Sequence, residues 1–118
     1  MLWYEVLFFM LVGHALMDYP LQSDFIAKYK NPWVKFDNQT WWPWLLSWHA
    51  LMHGGAVALV TGSVYLGVLE TICHWLIDLA KCADWINIHI DQGLHILCKL
   101  VWLFTIWQVP GINVYSRM

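Results

Sequence analysis

At 118 residues the chain can build one domain, with little room for a second core. It is 60% hydrophobic and 12% charged, holds ten tryptophans and has a mean hydropathy of +0.52, whereas soluble domains run nearer about a quarter charged. A net charge of −2 says nothing about nucleic acid and no basic stripe suggests it, so no nucleic-acid partner is expected; the composition predicts an integral membrane protein with the lipid bilayer around it.

The first apolar segment covers residues 2–19, where Pro20 ends or kinks it. Its start, Met1-Leu2-Trp3-Tyr4-Glu5, lacks the basic region of a cleavable signal, so the segment is expected to stay in the mature chain. Residues 20–42 form a polar loop with Asp24, Lys28, Lys30, Lys35 and Asp37, in which Asp24 and Lys28 are spaced to pair on a short amphipathic helix. Pro43 opens a second segment over 43–61, and Gly62-Ser63 interrupts the pattern. A helix running straight through Gly62 would hold His53 and His74 ~31 Å apart, so a tight turn is the reading adopted. Segments three and four follow over 64–84 and 87–109, the last stopped by Pro110-Gly111. The expected fold is all-α: a single domain over 1–118, an integral membrane four-helix bundle running up-down-up-down around a polar metal-binding core.

Lys28, Lys30, Lys35 and Lys81 fall at one end of such a bundle and Arg117 at the other, which puts both termini outside the cytoplasm. Trp3, Trp33, Trp41, Trp42, Trp85 and Trp107 near segment ends read as interfacial belts. Cys73, Cys82 and Cys98 form no CxxC or paired framework and read as small buried apolar residues.

Each segment carries one polar pair at i,i+4: His14/Asp18, His49/His53, His74/Asp78 and Asp91/His95. That spacing puts both members on one helix face, and polar side chains in apolar segments are expensive to bury without a partner. The pairs lie late, early, late and early in their segments, so alternating helix direction brings all four to one depth. Asp18, His49, Asp78 and Asp91 then share one level, and His14, His53, His74 and His95 share the next. One turn further in, Glu70 and Lys99 reach matching heights. They are read either as a buried ion pair or as a general base and an anion contact. Gln22, Gln92 and Lys81 lie beside the pairs as supporting hydrogen bonders. His89 is off the stripe, and Gly54-Gly55 reads as a close helix contact.

A single buried histidine is usually a packing residue, but four pairs in one layer point to divalent metal. With Glu70 and Lys99 cancelling, three carboxylates remain, so two ions with a hydroxide approach neutrality better than one ion alone. Zinc is the first choice for mixed imidazole and carboxylate donors, with iron or manganese as alternatives. A haem would not need the ring of aspartates, and a proton or ion pathway uses the same residue types.

The runs His14-Ala-Leu-Met-Asp18-Tyr-Pro-Leu-Gln22, His49-Ala-Leu-Met-His53, His74-Trp-Leu-Ile-Asp78-Leu-Ala-Lys81 and Asp91-Gln92-Gly-Leu-His95 resemble, in this order, the small bacterial and phage membrane family known as domain of unknown function 3307. In style they are also similar to YdjM-type membrane-bound metal-dependent hydrolases. The resemblance implies a bacterial inner-membrane location and leaves the activity open. The leading expectation is a hydrolase of a lipid-linked or membrane-proximal substrate, with metal on the eight paired residues and Glu70 or Asp91 moving the proton. The alternatives are an ion or metal conductor and a phage membrane effector merely stapled by metal. A bundle this small could also form a homo-oligomer that completes its sites across the interface.

Overall fold

The computed structural model describes residues 2–109, 111 and 112, so the readings placed on Pro110 and Arg117 lie outside the described residues. Five helices follow in order: α1 (Trp3–Asp18), α2 (Asp24–Tyr29), α3 (Trp42–Thr61), α4 (Val64–Cys82) and α5 (Ile88–Gln108). The four long ones match the four predicted segments to within two residues at each end, and α2 occupies the polar loop.

Local chemistry sets these limits. The Glu5 carboxylate accepts from the Leu2 N–H at 2.8 Å, tying off the start of α1. Pro43 sits in the first turn of α3, where its missing N–H costs nothing. Gly62 ends α3 with φ of 69°, the left-handed cap conformation that glycine adopts without strain. Ser63 then caps α4, its hydroxyl accepting from Leu66 N–H at 3.2 Å, and Asn87 caps α5 by accepting from Ile90 N–H at 2.9 Å. The turn at Gly62-Ser63 is therefore real, and α3 and α4 form a hairpin.

That hairpin is drawn unusually close. A Cβ on Gly54 would lie 2.4 Å from the Gly67 carbonyl oxygen, and one on Gly67 would lie 2.7 Å from that of Gly54. Gly54 thus makes the close contact predicted for it, while Gly55 has open space around it.

On α1, α4 and α5 the buried stripe is apolar at one end of the bundle and polar at the other. On α1 it runs Val6, Met10, His14; on α5 it runs Asp91, His95, Lys99, Trp102. The apolar ends meet as Val6, Met10, Val57, Leu66 and Trp102. Most other large apolar side chains stand on the outside, and the buried polar residues outnumber the buried apolar ones.

The membrane reading is corrected here. Among the described residues, no helix is long and apolar enough to cross a membrane, which removes the multi-pass inner-membrane assignment, its orientation and its tryptophan belts. The reason is visible in the helices: α1 has only 16 residues, and the stripes of His, Asp, Glu and Lys dilute the longer ones. The cysteines are free and half-buried rather than buried, and burial pushes Cys82 and Cys98 up to about 11.

Candidate metal centre

The i,i+4 pairs converge. His14, His53, His74 and His95 form one layer, with ring centroids 5.1 Å apart for His14–His53, 3.6 Å for His53–His74, 4.2 Å for His74–His95 and 5.0 Å for His95–His14. His49 packs on this layer, 4.8 Å from His53 and 5.1 Å from His74. His89 is exposed and takes no part.

Asp18 stands at the centre. Its Oδ1 accepts from His53 Nε2 at 2.9 Å and His49 Nε2 at 3.2 Å, and lies 3.9 Å from His74 Nε2. Its Oδ2 accepts from Gln92 Nε2 at 2.9 Å and lies 3.3 Å from His14 Nε2. Gln92 also donates to Asp91 Oδ2 at 3.0 Å and accepts from His14 Nε2 at 3.0 Å, so its amide links three of the predicted ligands. Burial alone would raise the Asp18 carboxyl, but hydrogen bonds from His49, His53 and Gln92 outweigh it and hold the group well below the ordinary carboxylate range. Burial pushes His53 down to about 3, and likewise lowers His14 and His74. Neutral imidazoles are the form that binds metal.

Three sets of side chains have donor atoms within 4.8 Å of one another: Asp18 with His49, His53 and His74; His14 with His74 and His95; and Asp18 with Asp91 and His95. Asp18, His74 and His95 each belong to two sets, so one carboxylate and two imidazoles are shared between candidate ion positions. Donors at zinc distances span tetrahedral edges of about 3.3 Å. The 2.9, 3.2 and 3.9 Å separations around Asp18 Oδ1 bracket that value. Five buried polar atoms of this cluster have no hydrogen-bond partner: His14 Nδ1, both ring nitrogens of His74, Asp91 Oδ1 and His95 Nδ1. The residues present fit a divalent ion.

Asp78 lies outside the three sets. Its Oδ2 is 3.7 Å from His49 Nε2 and 3.8 Å from His74 Nε2, and it accepts from Lys30 Nζ at 2.7 Å. Lys30 is the residue that sequence reasoning missed. Sequence alone places it among the loop charges, yet it is 4% exposed and also donates to Gln22 Oε1 at 2.6 Å. Gln22 in turn donates to the Asp18 backbone carbonyl at 2.8 Å. The surplus of carboxylates over cations was the signal that could have found Lys30.

Glu70 lies beneath the layer, fully buried, with its Oε1 accepting from Lys99 and its Oε2 accepting from Trp102 Nε1 at 2.6 Å. It approaches only His74 Nδ1, at 3.9 Å. Of its two readings the ion pair is the one this geometry favours, because both oxygens are already occupied. Asp91, by contrast, lines a cleft of about 160 Å³ with Asp18, Asp78, His95, Lys30 and Lys81.

No curated protein and no solved structure matches the chain, so nothing supports the more distant hydrolase likeness. A family model described as "Protein of unknown function (DUF3307)" matches residues 6–117. That match takes in all four paired motifs together with α2 and Lys30 at its end, and the chain belongs to this family.

Proposed function

We propose that the chain is a metal-dependent hydrolase whose His/Asp cluster holds one or two divalent ions, zinc first. The observation that carries the reading is the set of unpartnered buried polar atoms, His74 above all, with neither ring nitrogen bonded. Each such atom costs about 1–3 kcal/mol if left alone, which an ion among them would offset. Bound there, a divalent ion lowers the pKa of water toward neutrality.

The surrounding residues supply the rest. Asp91 Oδ1 is buried beside the cleft without a hydrogen bond, 3.3 Å from His95 Nε2, and is placed to accept a proton from the attacking water. Gln92 and Gln22 fix Asp91 and Asp18 through their amides. Tyr19 and Ile88 line the same cleft and are exposed, which supports a substrate with an apolar part, such as a lipid-linked ester. Conduction is the weaker reading, since Glu70, Lys99 and Trp102 fill the bundle below the histidines and leave the cluster open at one end.

Elemental analysis of the purified, zinc-reconstituted full chain tests the centre, with at least one ion per chain expected. Fewer than about 0.2 would sink it, given how tightly such donor sets bind. Hydrolysis of p-nitrophenyl esters, lost in a folded His74→Ala protein, separates an enzyme from a bundle that metal only staples.

A further inference from the structure

The cleft above the cluster sets two lysines among three carboxylates. Its lining brings Lys30, Lys81 and Gln22 together with Asp18, Asp78, Asp91 and His95. Lys30 spends two of its three N–H donors on Asp78 and Gln22, leaving one. Lys81 is partly buried and has no carboxylate within ion-pair range among the described residues. Lys30 is neutralised by Asp78, so Lys81 is the cation beside the metal centre that negative charge arriving with a ligand would match.

Charge indicates which anion. Asp18, Asp78 and Asp91 carry three negative charges, and Lys30 and Lys81 reduce them to one. Two divalent ions then leave a surplus of three positive charges. A phosphate dianion cancels two of these, whereas a carboxylate or a phosphodiester cancels only one. At about 160 Å³ the cleft is smaller than the roughly 300–1,000 Å³ of sites that enclose whole ligands, so it admits a head group and leaves the remainder outside.

We infer that this cleft is a phosphate subsite, in which Lys81 and the free donor of Lys30 hold the phosphate of a phosphomonoester. The inference rests on the metal-dependent hydrolase reading and names its substrate class. In the reaction a water oxygen bonds to phosphorus and the phosphorus–oxygen ester bond breaks. The water proton passes to Asp91 and then to the departing alcohol oxygen, giving inorganic phosphate and an alcohol.

Calorimetric titration of the full chain with inorganic phosphate, with zinc content measured in parallel, tests it. Phosphate should bind the zinc-loaded chain and not the zinc-free one. Lys81→Ala should weaken binding about tenfold at unchanged zinc content, and Lys81→Arg should restore most of it. A chain that takes up no zinc loses the metal reading and this inference together. A chain that takes up zinc but no phosphate, or binds phosphate equally well as Lys81→Ala and Lys30→Gln, loses this inference alone. Glycerol phosphate and phosphatidic acid in phosphatidylcholine vesicles are then set against inorganic phosphate. Competition by the first marks a soluble ester, by the second a lipid headgroup, and competition by neither overturns the monoester assignment.

Discussion

The Asp18 carboxylate sits on α1 and accepts hydrogen bonds from α3 and α5, so one side chain ties three helices at the height of the candidate centre. Loss of an outer-shell partner already lowers metal affinity about 10–100-fold. Asp18 touches donors of two sets, so Asp18→Asn should weaken zinc by at least about 100-fold, as read by competition with a chromophoric chelator. The histidines give a second prediction. His14, His53 and His74 are all held below their ordinary range of 6.5, so the unfolded chain takes up protons first as pH falls. The metal-free protein should therefore keep its full stability above about pH 6.5 and lose it steadily toward pH 3, where His53 protonates in the folded state. Asp18, also lowered, adds to the loss below about 3.8. Urea midpoints measured at intervals from roughly pH 4 to 8 check this, and a flat profile would contradict it.

At the scale of the element, α4 and α5 are joined by the Glu70–Lys99 pair, with Trp102 as a third member. Removing one partner of a buried pair costs about 3–5 kcal/mol, because the other charge stays behind. Lys99→Met should show that loss in chemical denaturation. Adding Glu70→Gln should recover much of it, since the amide oxygen still accepts from Trp102. The four long helices were legible because Pro20, Pro43, Gly62 and the caps at Ser63 and Asn87 punctuate the chain locally. The layering of the pairs was legible too, since it follows from helical period and alternating direction alone. Lys30 was not, because its burial is decided by Asp78, 48 residues away, and no local pattern encodes that contact. The membrane assignment failed for a related reason. It rested on overall composition and segment length, whereas crossing a bilayer also needs each helix to be apolar throughout, and the His, Asp, Glu and Lys stripes interrupt that.

Over the whole molecule, the interior is polar at one end and only thinly apolar at the other, so little of the stability comes from a hydrophobic core. Whatever fills the centre should then count heavily. Zinc at a hundred times its dissociation constant adds about 2.7 kcal/mol, and chelation should lower the thermal midpoint by several degrees. An unchanged midpoint would mean that the hydrogen bonds around Asp18 suffice by themselves. The glycine crossing of α3 and α4 bears on the same centre. Gly54 and Gly67 let the two backbones touch, directly after His53 on α3 and two turns before His74 on α4, so this contact limits how far apart His53 and His74 can stand. On the proposed metal reading the crossing is a caliper whose opening would set the ion radius the candidate centre accepts. Gly67→Ala would widen it without altering any ligand, so the variant should bind zinc less tightly while losing less affinity for a larger ion such as cadmium.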